Sequence, residues 1–195
     1  MQGLCNTLRQ NWTQCQMLQL LDSAHPDARK VAGLALGLLG DRQCIQPLAK
    51  RLADPDPMVN QMAEHALWSI WFRCGKRRAN ESIMQGLREL NRREFDKAIV
   101  HFSRAIELDP KFAEAYNQRA IVHYLREEWE PSLKDCRRTA AMMPCHFGAW
   151  SGMGHCYAHM NRLSDAIRCY EKALSINPHL SCVRDAVGEL KLAIQ

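Results

Sequence analysis

The last third of the chain holds two histidines four residues apart with a cysteine between them, His155, Cys156 and His159, in the stretch HCYAHMNR. Residues four apart share a face of an α-helix, and such a pair binds Zn²⁺ when further ligands converge on it. We expect structural or surface roles for these side chains, with a metal site as the open alternative. The other cysteines and histidines in this part of the chain that enter the metal hypothesis are Cys145, His146 and Cys169.

One adjacent acid–histidine pair, Glu64-His65, is the other candidate for chemistry. It is similar to the Glu/His pairs of HEAT-like di-iron hydroxylases, but those proteins carry several pairs in separate repeats and this sequence has one. The sequence contains no glycine-rich phosphate loop and no nucleophile elbow, and spacing suggests no Ser/His/Asp set. We therefore predict that the protein is not an enzyme and uses no cofactor.

Composition and charge are those of an ordinary globular protein. Of the 195 residues, 47% are hydrophobic and 24% are charged, and the formal net charge is +5. Basic residues are interspersed with acidic ones, and the densest basic run, Lys76–Arg78, fits a solvated linker better than a nucleic-acid interface. We expect no nucleic-acid partner.

Cysteine usage and hydropathy predict a cytoplasmic protein. The nine cysteines cannot all pair within one chain, and most lie in apolar helical patterns, so free thiols in a reducing compartment are expected. The N-terminus lacks the basic start and apolar run of a signal peptide. The most apolar stretch, residues 31–40, is too short to span a bilayer. We expect no membrane partner.

The elements that must position these side chains repeat along the chain. Pro110, Pro144 and Pro178 are spaced 34 residues apart. A fixed period of this length indicates a repeat architecture, in which each repeat is one helix pair. The same step relates three further series, which are Ala98, Ser132 and Ala166; Ala105, Thr139 and Ala173; and Phe102, Cys136 and Tyr170.

Residues 147–178 carry the clearest copy of this repeat. Trp150, Met153, Gly154 and Tyr157 follow a W-x2-L-G-x2-Y pattern, with Met in place of Leu. These residues resemble the tetratricopeptide repeat (TPR), a pair of antiparallel helices. The resemblance implies a TPR domain at 79–195, with repeats at about 79–112, 113–146 and 147–180 and a capping helix at 181–195.

A different step, of 31 residues, relates two helical segments nearer the N-terminus. It aligns Leu36 with Leu67, and the sequences at 40–41 and 54–57, Gly-Asp and Asp-Pro-Asp-Pro, suit helix ends followed by N-caps. This part resembles the short HEAT-like repeats of bilin-lyase-type (PBS-lyase-type) proteins. We assign residues 1–75 to HEAT-like repeats, with residues 1–12 as either an irregular cap or the remainder of an earlier repeat.

Both patterns predict the same fold class. It is an all-α fold, an α-solenoid of antiparallel helix pairs in which HEAT-like repeats are followed by three TPRs and a C-terminal capping helix. No stretch of the sequence alternates as a β-strand does. Nothing in the repeat pattern predicts an oligomeric state.

The TPR resemblance implies a concave groove lined by the first helix of each repeat. We expect Tyr124, Asn117 and His155 to be the main contacts to a partner, and binding to weaken below pH about 6.5, where an unperturbed histidine gains charge. The alternative for Ile83 and Leu87, and for Leu90, is packing against the HEAT-like segment. The predicted groove positions are Ile83, Leu87, Leu90, Asn91, Asn117, Ile121, Tyr124, Leu125, Ser151, His155, Ala158 and His159.

A specialised form of this groove can be tested on the sequence. TPR proteins that bind the acidic C-terminal tails of heat-shock chaperones use a clamp of Lys, Asn and Arg side chains. The matching positions here lack every charged member of the clamp, so that mode of binding is not expected. They are occupied by Ile83, Leu87, Gln118, Gly148 and Gly152.

The resulting hypothesis is a non-enzymatic scaffold or adaptor that binds a protein or peptide in the TPR groove. The alternative is a lyase- or chaperone-like subunit for a bound prosthetic group, which the bilin-lyase-type resemblance implies. That alternative depends on the repeat alone, and a fold does not define a function.

Overall fold

The computed structural model describes the backbone of residues 2–194, and the side chains of all of these except Gln2, Leu4, Cys5 and Arg9. These residues form twelve α-helices, and no β-strand occurs within 2–194. The chain divides into two compact units, Met1–Cys74 and Gly75–Gln195. None of the helices in the described part of the chain combines the length and the apolarity needed to cross a membrane.

The first unit contains five α-helices whose ends follow local capping rules. Pro26 and Pro57 occupy the first turn of their helices, where no N–H bond is lost. The Asp56 carboxylate accepts hydrogen bonds from the backbone N–H groups of Met58 and Val59, as an N-cap does. The helices are α1 (Gln2–Asn11), α2 (Gln14–Leu21), α3 (Pro26–Leu39), α4 (Ile45–Lys50) and α5 (Pro57–Arg73), with single 3₁₀ turns at Arg42–Cys44 and Arg51–Ala53.

The core of the first unit lies between α3 and α5, with α2 on the other side of α3. Leu36 and Leu67, which the 31-residue step aligns, are both fully buried there. Gly37 lets the two helices approach closely, since a Cβ at this position would lie 3.2 Å from the Cα of Ala66. The buried Arg29 guanidinium joins this core to the loop before α5 through two hydrogen bonds to the Asp54 carboxylate, of 2.8 and 2.9 Å.

The second unit consists of three antiparallel helix pairs and one further helix. Each pair ends two residues before a proline of the 34-residue series, because proline cannot continue a helix. The pairs are α6 (Arg77–Asn91) with α7 (Phe95–Leu108), α8 (Ala113–Leu125) with α9 (Trp129–Met142), and α10 (Phe147–His159) with α11 (Leu163–Ile176). The last helix is α12 (Ser181–Ala193), where a capping helix to residue 195 was predicted; residue 195 itself lies outside the described residues.

Two features of the helix pairs recur with the period of the sequence. In the first and third pairs a glycine faces an aromatic ring: a Cβ on Gly86 would lie 2.5 Å from the Phe102 ring, and one on Gly154 would lie 2.4 Å from the Tyr170 ring. Each pair also turns through one residue in the left-handed region. These residues, 34 apart, are Arg93, Glu127 and Asn161, with φ of 61°, 61° and 57°.

The all-α fold of antiparallel helix pairs is thus confirmed. Its core in the second and third repeats contains the residues that the repeat pattern identified, among them Ala120, Tyr157, Ala166 and Tyr170. Val183 and Val187 of α12 belong to the same cluster, so the last helix covers the apolar face of α11. This arrangement leaves the first helices of the repeats, α6, α8 and α10, side by side.

Candidate functional site

The candidate site is the surface formed by the first helices of the three repeats. We call it the groove face and define it by the predicted positions on α6, α8 and α10. Asn91, Ile121, Leu125 and His159 are exposed on this face. The positions that are partly buried are Leu87, Leu90, Tyr124, Ser151, His155 and Ala158.

Two predicted groove residues lie elsewhere. Ile83 has 0% of its surface exposed and Asn117 has 3%, so neither offers a contact surface to a partner. Ile83 belongs to the packed interior. For Asn117, expected as a main contact, the structure gives a different role.

Asn117 belongs to a buried polar network at the junction of α8 and α10. Its side-chain amide donates to the carboxylate of Glu114 at 3.1 Å, and the amide of Gln118 donates to the same oxygen at 2.6 Å. The second Glu114 oxygen lies 2.9 Å from Nε2 of His146. Each buried group therefore has a partner, and Asn117 helps to hold the Glu114 carboxylate.

His146 connects this network to the start of α10. Its Nδ1 accepts a hydrogen bond of 3.1 Å from the backbone N–H of Ala149, which makes His146 the N-cap of the helix. An accepting Nδ1 leaves the ring proton on Nε2, where it is donated to Glu114. This pairing was not predictable from the sequence, because Glu114 and His146 are 32 residues apart and each resembles a surface residue.

Tyr124 and His159 join the second and third repeats across the groove face. The Tyr124 hydroxyl lies 2.9 Å from Nε2 of His159. The His159 ring stacks on the indole of Trp129, with centroids 4.5 Å apart and planes 7° from parallel. The Tyr124 ring meets the same indole edge-on at 5.2 Å. Three rings from α8, α9 and α10 thus form one continuous aromatic surface.

Trp129 is the member of this surface that the sequence reasoning did not assign to the site. Trp129 is the first residue of α9, which brings it beside the last turns of α8 and α10. Its indole therefore packs against the core of the repeats and also forms part of the groove face.

His155 lies deeper than His159, with both ring nitrogens engaged. Nδ1 lies 2.7 Å from the hydroxyl of Tyr170, and Nε2 lies 3.3 Å from the hydroxyl of Ser151. Burial, together with the nearby His159, lowers the pKa of His155 below its ordinary value of 6.5. The ring is therefore neutral at pH 7.

Ser151 and His155 are the residue types of a catalytic nucleophile and its general base. The group on the other side of His155, Tyr170, does not complete such a site. Tyr170 orients the imidazole, and burial raises the pKa of its phenol well above the ordinary value of 10. A neutral phenol cannot stabilise an imidazolium as a carboxylate does. A histidine with a lowered pKa that is already bonded at both nitrogens is also a weak base.

The metal hypothesis for the last repeat finds no converging ligands. Cys156 is fully buried and its thiol lies 3.3 Å from Ser132 Oγ, on α9. Burial, then the neighbouring Cys156, raises the pKa of the Cys136 thiol to about 12, so this thiol stays protonated. Across the residues that the structure describes, no group of three His, Cys, Asp or Glu side chains is placed to hold a metal ion.

Comparison with protein families identifies both kinds of repeat. A tetratricopeptide repeat model matches residues 148–180, and a TPR repeat model matches residues 86–125. A model of HEAT repeats matches residues 16–98. The HEAT match begins in α2 and ends in α7, within the first helix pair of the second unit.

Several known proteins are similar to part of this chain. Subunit 3 of the anaphase-promoting complex of Schizosaccharomyces pombe is 33% identical over 96 residues, which cover 49% of this chain and 14% of that protein. A TPR repeat-containing protein of Rhizobium etli is 26% identical over 141 residues, which cover 72% of this chain and 68% of the relative. The chain thus spans a small part of the first of these relatives and about two thirds of the second.

Solved structures with the same fold are TPR domains. The first TPR domain of Spaghetti, bound to an HSP90 peptide, has a TM-score of 0.59 at 19% identity, and the match covers 60% of this chain and 93% of that domain. The Sgt2 TPR domain of Aspergillus fumigatus also has a TM-score of 0.59, at 20% identity, over 62% of this chain and 81% of that one. Taken with the repeat matches and the helix pairs, these findings show that the chain is a tetratricopeptide repeat protein with HEAT-like repeats in its N-terminal part.

Proposed function

We propose that the chain is a non-enzymatic adaptor that holds a peptide or a helix of another protein along the groove face. The observation that carries this proposal is the exposed apolar surface of α8, where Ile121 is 38% exposed and Leu125 is 50% exposed. Ile121 lies one helical turn before Tyr124 and Leu125 directly follows it, so both belong to the part of α8 that carries this aromatic ring. Apolar anchors beside aromatic rings with polar edges are typical of peptide-binding surfaces.

The chemistry of the groove face favours a partner with apolar side chains. Ile121 and Leu125 supply the apolar contact, and the exposed His159 and Asn91 supply hydrogen-bonding groups at the two ends. An acidic chain terminus is disfavoured, because the clamp positions hold no cation and two of them, Ile83 and Gln118, are buried. The solved neighbours bound to HSP90 and HSP70 peptides therefore support peptide binding as a mode without defining this ligand.

A charge placed on the apolar part of the groove face tests the proposal. We expect the double variant Ile121→Glu/Leu125→Glu to lose its captured partners in affinity capture from the native host, because carboxylates would have to be desolvated against an apolar ligand. The control is Val100→Glu, which puts one such charge on an apolar side chain that is 65% exposed on α7.

The control variant should capture the same proteins as the wild type, and all variants should keep the wild-type helical circular dichroism. Capture that survives in the folded double variant would place the interface away from Ile121 and Leu125. Loss in Val100→Glu as well would show that the capture depends on net charge.

The peptide SRMEEVD, which the Spaghetti domain binds, tests the predicted ligand chemistry. We expect no saturable binding in a calorimetric titration, because the clamp positions of this chain carry no Lys or Arg. Saturable binding at micromolar concentration would show that other cations of the groove face replace the clamp.

A further inference from the structure

A second surface of the TPR unit forms a cleft with its own chemistry. The cleft has a volume of about 500 Å³ and lies between α8 and α9, on the side of α8 away from Ile121 and Tyr124. Lys134, Arg137 and Arg138, with Ala141, share one exposed face of α9, since their spacing is i, i+3, i+4 and i+7. Tyr116 and Arg119 of α8 form the opposite wall.

The one carboxylate in the lining is already neutralised. Asp135 is buried and accepts two hydrogen bonds from the Arg119 guanidinium, at 2.7 and 2.9 Å. The third nitrogen of Arg119 donates to Ser103 Oγ at 2.9 Å. This pair is therefore a fixed part of the wall and leaves three positive charges without a counterion in the cleft.

Those three charges belong to Lys134, Arg137 and Arg138. Among the described residues, no carboxylate oxygen lies within ion-pair distance of any of them. Arg137 donates to the neutral hydroxyl of Tyr157 at 2.6 Å, which orients its guanidinium without cancelling its charge. Besides Asp135, the same helix carries one other acidic residue, Glu130, whose charge acts on Arg137 through space.

An aromatic ring lies among these cations. The guanidinium carbons of Arg119 and Arg138 lie 5.8 and 6.0 Å from the centroid of the Tyr116 ring, within the range of a cation–π contact. This contact with the ring limits the conformational freedom of Arg138. Preorganised guanidinium groups bind oxyanions with less loss of side-chain entropy than free ones.

We propose that this cleft binds a phosphorylated side chain of a partner protein. A phosphate monoester carries about −1.5 to −2 charges at pH 7 and three acceptor oxygens, which match the three cations on one wall of the cleft. A single carboxylate would neutralise one cation and leave the others unpaired. Arginine pairs recognise phosphate by two parallel hydrogen bonds, and a volume of this size is in the range of a site for a small group.

This site is independent of the groove face, so one of the two can fail without the other. The probe is a fluorescein-labelled peptide of degenerate sequence with a central phosphoserine, titrated against the full chain and compared with the same peptide carrying serine. We expect the phosphorylated peptide to bind at least about tenfold more tightly, as a charge-assisted Arg cluster requires. Fluorescence anisotropy measures both affinities.

The test variant is Lys134→Gln/Arg138→Gln, which removes two cations of the cleft. The matched control is Lys97→Gln/Lys172→Gln, which removes two cations from the exposed surfaces of α7 and α11 and changes the net charge equally. We expect the test variant to lose the preference for phosphoserine and the control to keep it.

Three results would overturn the proposal. They are equal affinities of the two peptides for the wild type, equal losses in the test and control variants, and tight binding of a single-stranded oligonucleotide that the test variant loses while neither peptide binds. The third result would assign the cleft to nucleic acid. Inorganic phosphate that binds as tightly as the phosphopeptide would assign it to a free anion.

Discussion

At His155, the hydrogen-bond partners decide what the side chain does. The ring is held between Tyr170 and Ser151, while His159, one helical turn later, remains exposed and stacks on Trp129. The two histidines share a helix face as their spacing predicts, yet one is a packed, neutral group and the other is surface. Any contact of the pair with a partner therefore belongs mainly to His159.

The lowered pKa of His155 predicts a pH dependence of stability. Between the lowered pKa and the ordinary value of 6.5, the unfolded chain binds a proton that the folded chain does not. The free energy of unfolding should therefore be highest above pH 6.5 and should fall as the pH decreases through that window. Urea denaturation from about pH 7.5 to about pH 5.5 measures this.

The variant His155→Gln should lose part of this pH dependence and should be less stable at neutral pH by about 1–2 kcal/mol, because Tyr170 loses its buried partner. His65→Gln is the control, since His65 is exposed on α5 and should keep the wild-type profile. A His155→Gln variant with an unchanged pH profile would show that another group carries the dependence.

Within the first and third helix pairs, the geometry depends on a small residue that faces a ring. Gly86 faces Phe102 and Gly154 faces Tyr170, which allows the two helices of a repeat to cross closely. The same turn position in each of the three repeats holds a residue with a left-handed backbone conformation, namely Arg93, Glu127 and Asn161. Arg93 and Glu127 are residue types that seldom adopt this conformation. The close crossing of the helices and the short turn between them must therefore hold both residues in it.

A pair of glycine variants tests the close approach. Gly154→Ala should lower the free energy of unfolding by about 1–3 kcal/mol, because the new Cβ would lie 2.4 Å from the packed ring of Tyr170. Gly188→Ala in α12 meets nothing within 4 Å and should be stabilising by up to about 1 kcal/mol, the difference in helix propensity.

Thermal or urea denaturation of the two variants measures the contrast. If Gly154→Ala were as stable as Gly188→Ala, helices α10 and α11 would have to accommodate the new Cβ without any loss in the free energy of unfolding. That outcome would remove the steric reason for a small residue at this position.

At the scale of the molecule, the TPR unit has a core of its own. The cluster of buried side chains that includes Ala120, Leu133, Tyr157, Tyr170 and Val187 lies entirely between Gly75 and Gln195. Repeats gain stability from intrinsic terms and from their immediate neighbours. The stability of the second and third repeats should therefore be largely internal to this unit.

A shortened chain tests this expectation. Residues 75–195 expressed alone should be helical by circular dichroism and should unfold cooperatively in urea, because α8 to α12 retain their mutual contacts. A non-cooperative transition would show that this core is insufficient. The full chain, measured in parallel, is the reference.

The sequence by itself determined the architecture. The prolines at 110, 144 and 178 and the small and aromatic series between them encode helix length, turn position and close crossing, all of which are local or nearest-neighbour properties. For this reason the three TPRs, the final helix and the HEAT-like character of the N-terminal part were predictable from one chain. The bilin-lyase-type assignment and the groove as a binding site stay predictions.

The tertiary structure decided which side chains are available for binding. Asn117 occupies a groove position of the repeat, but it is buried because Glu114 and His146, 32 residues apart, meet beside it. The basic cleft likewise depends on an ion pair that residue spacing does not predict, because the charge of Asp135 is neutralised by Arg119 from another helix. A repeat pattern specifies how helices stack, whereas burial and counterions depend on which residues that stacking brings together.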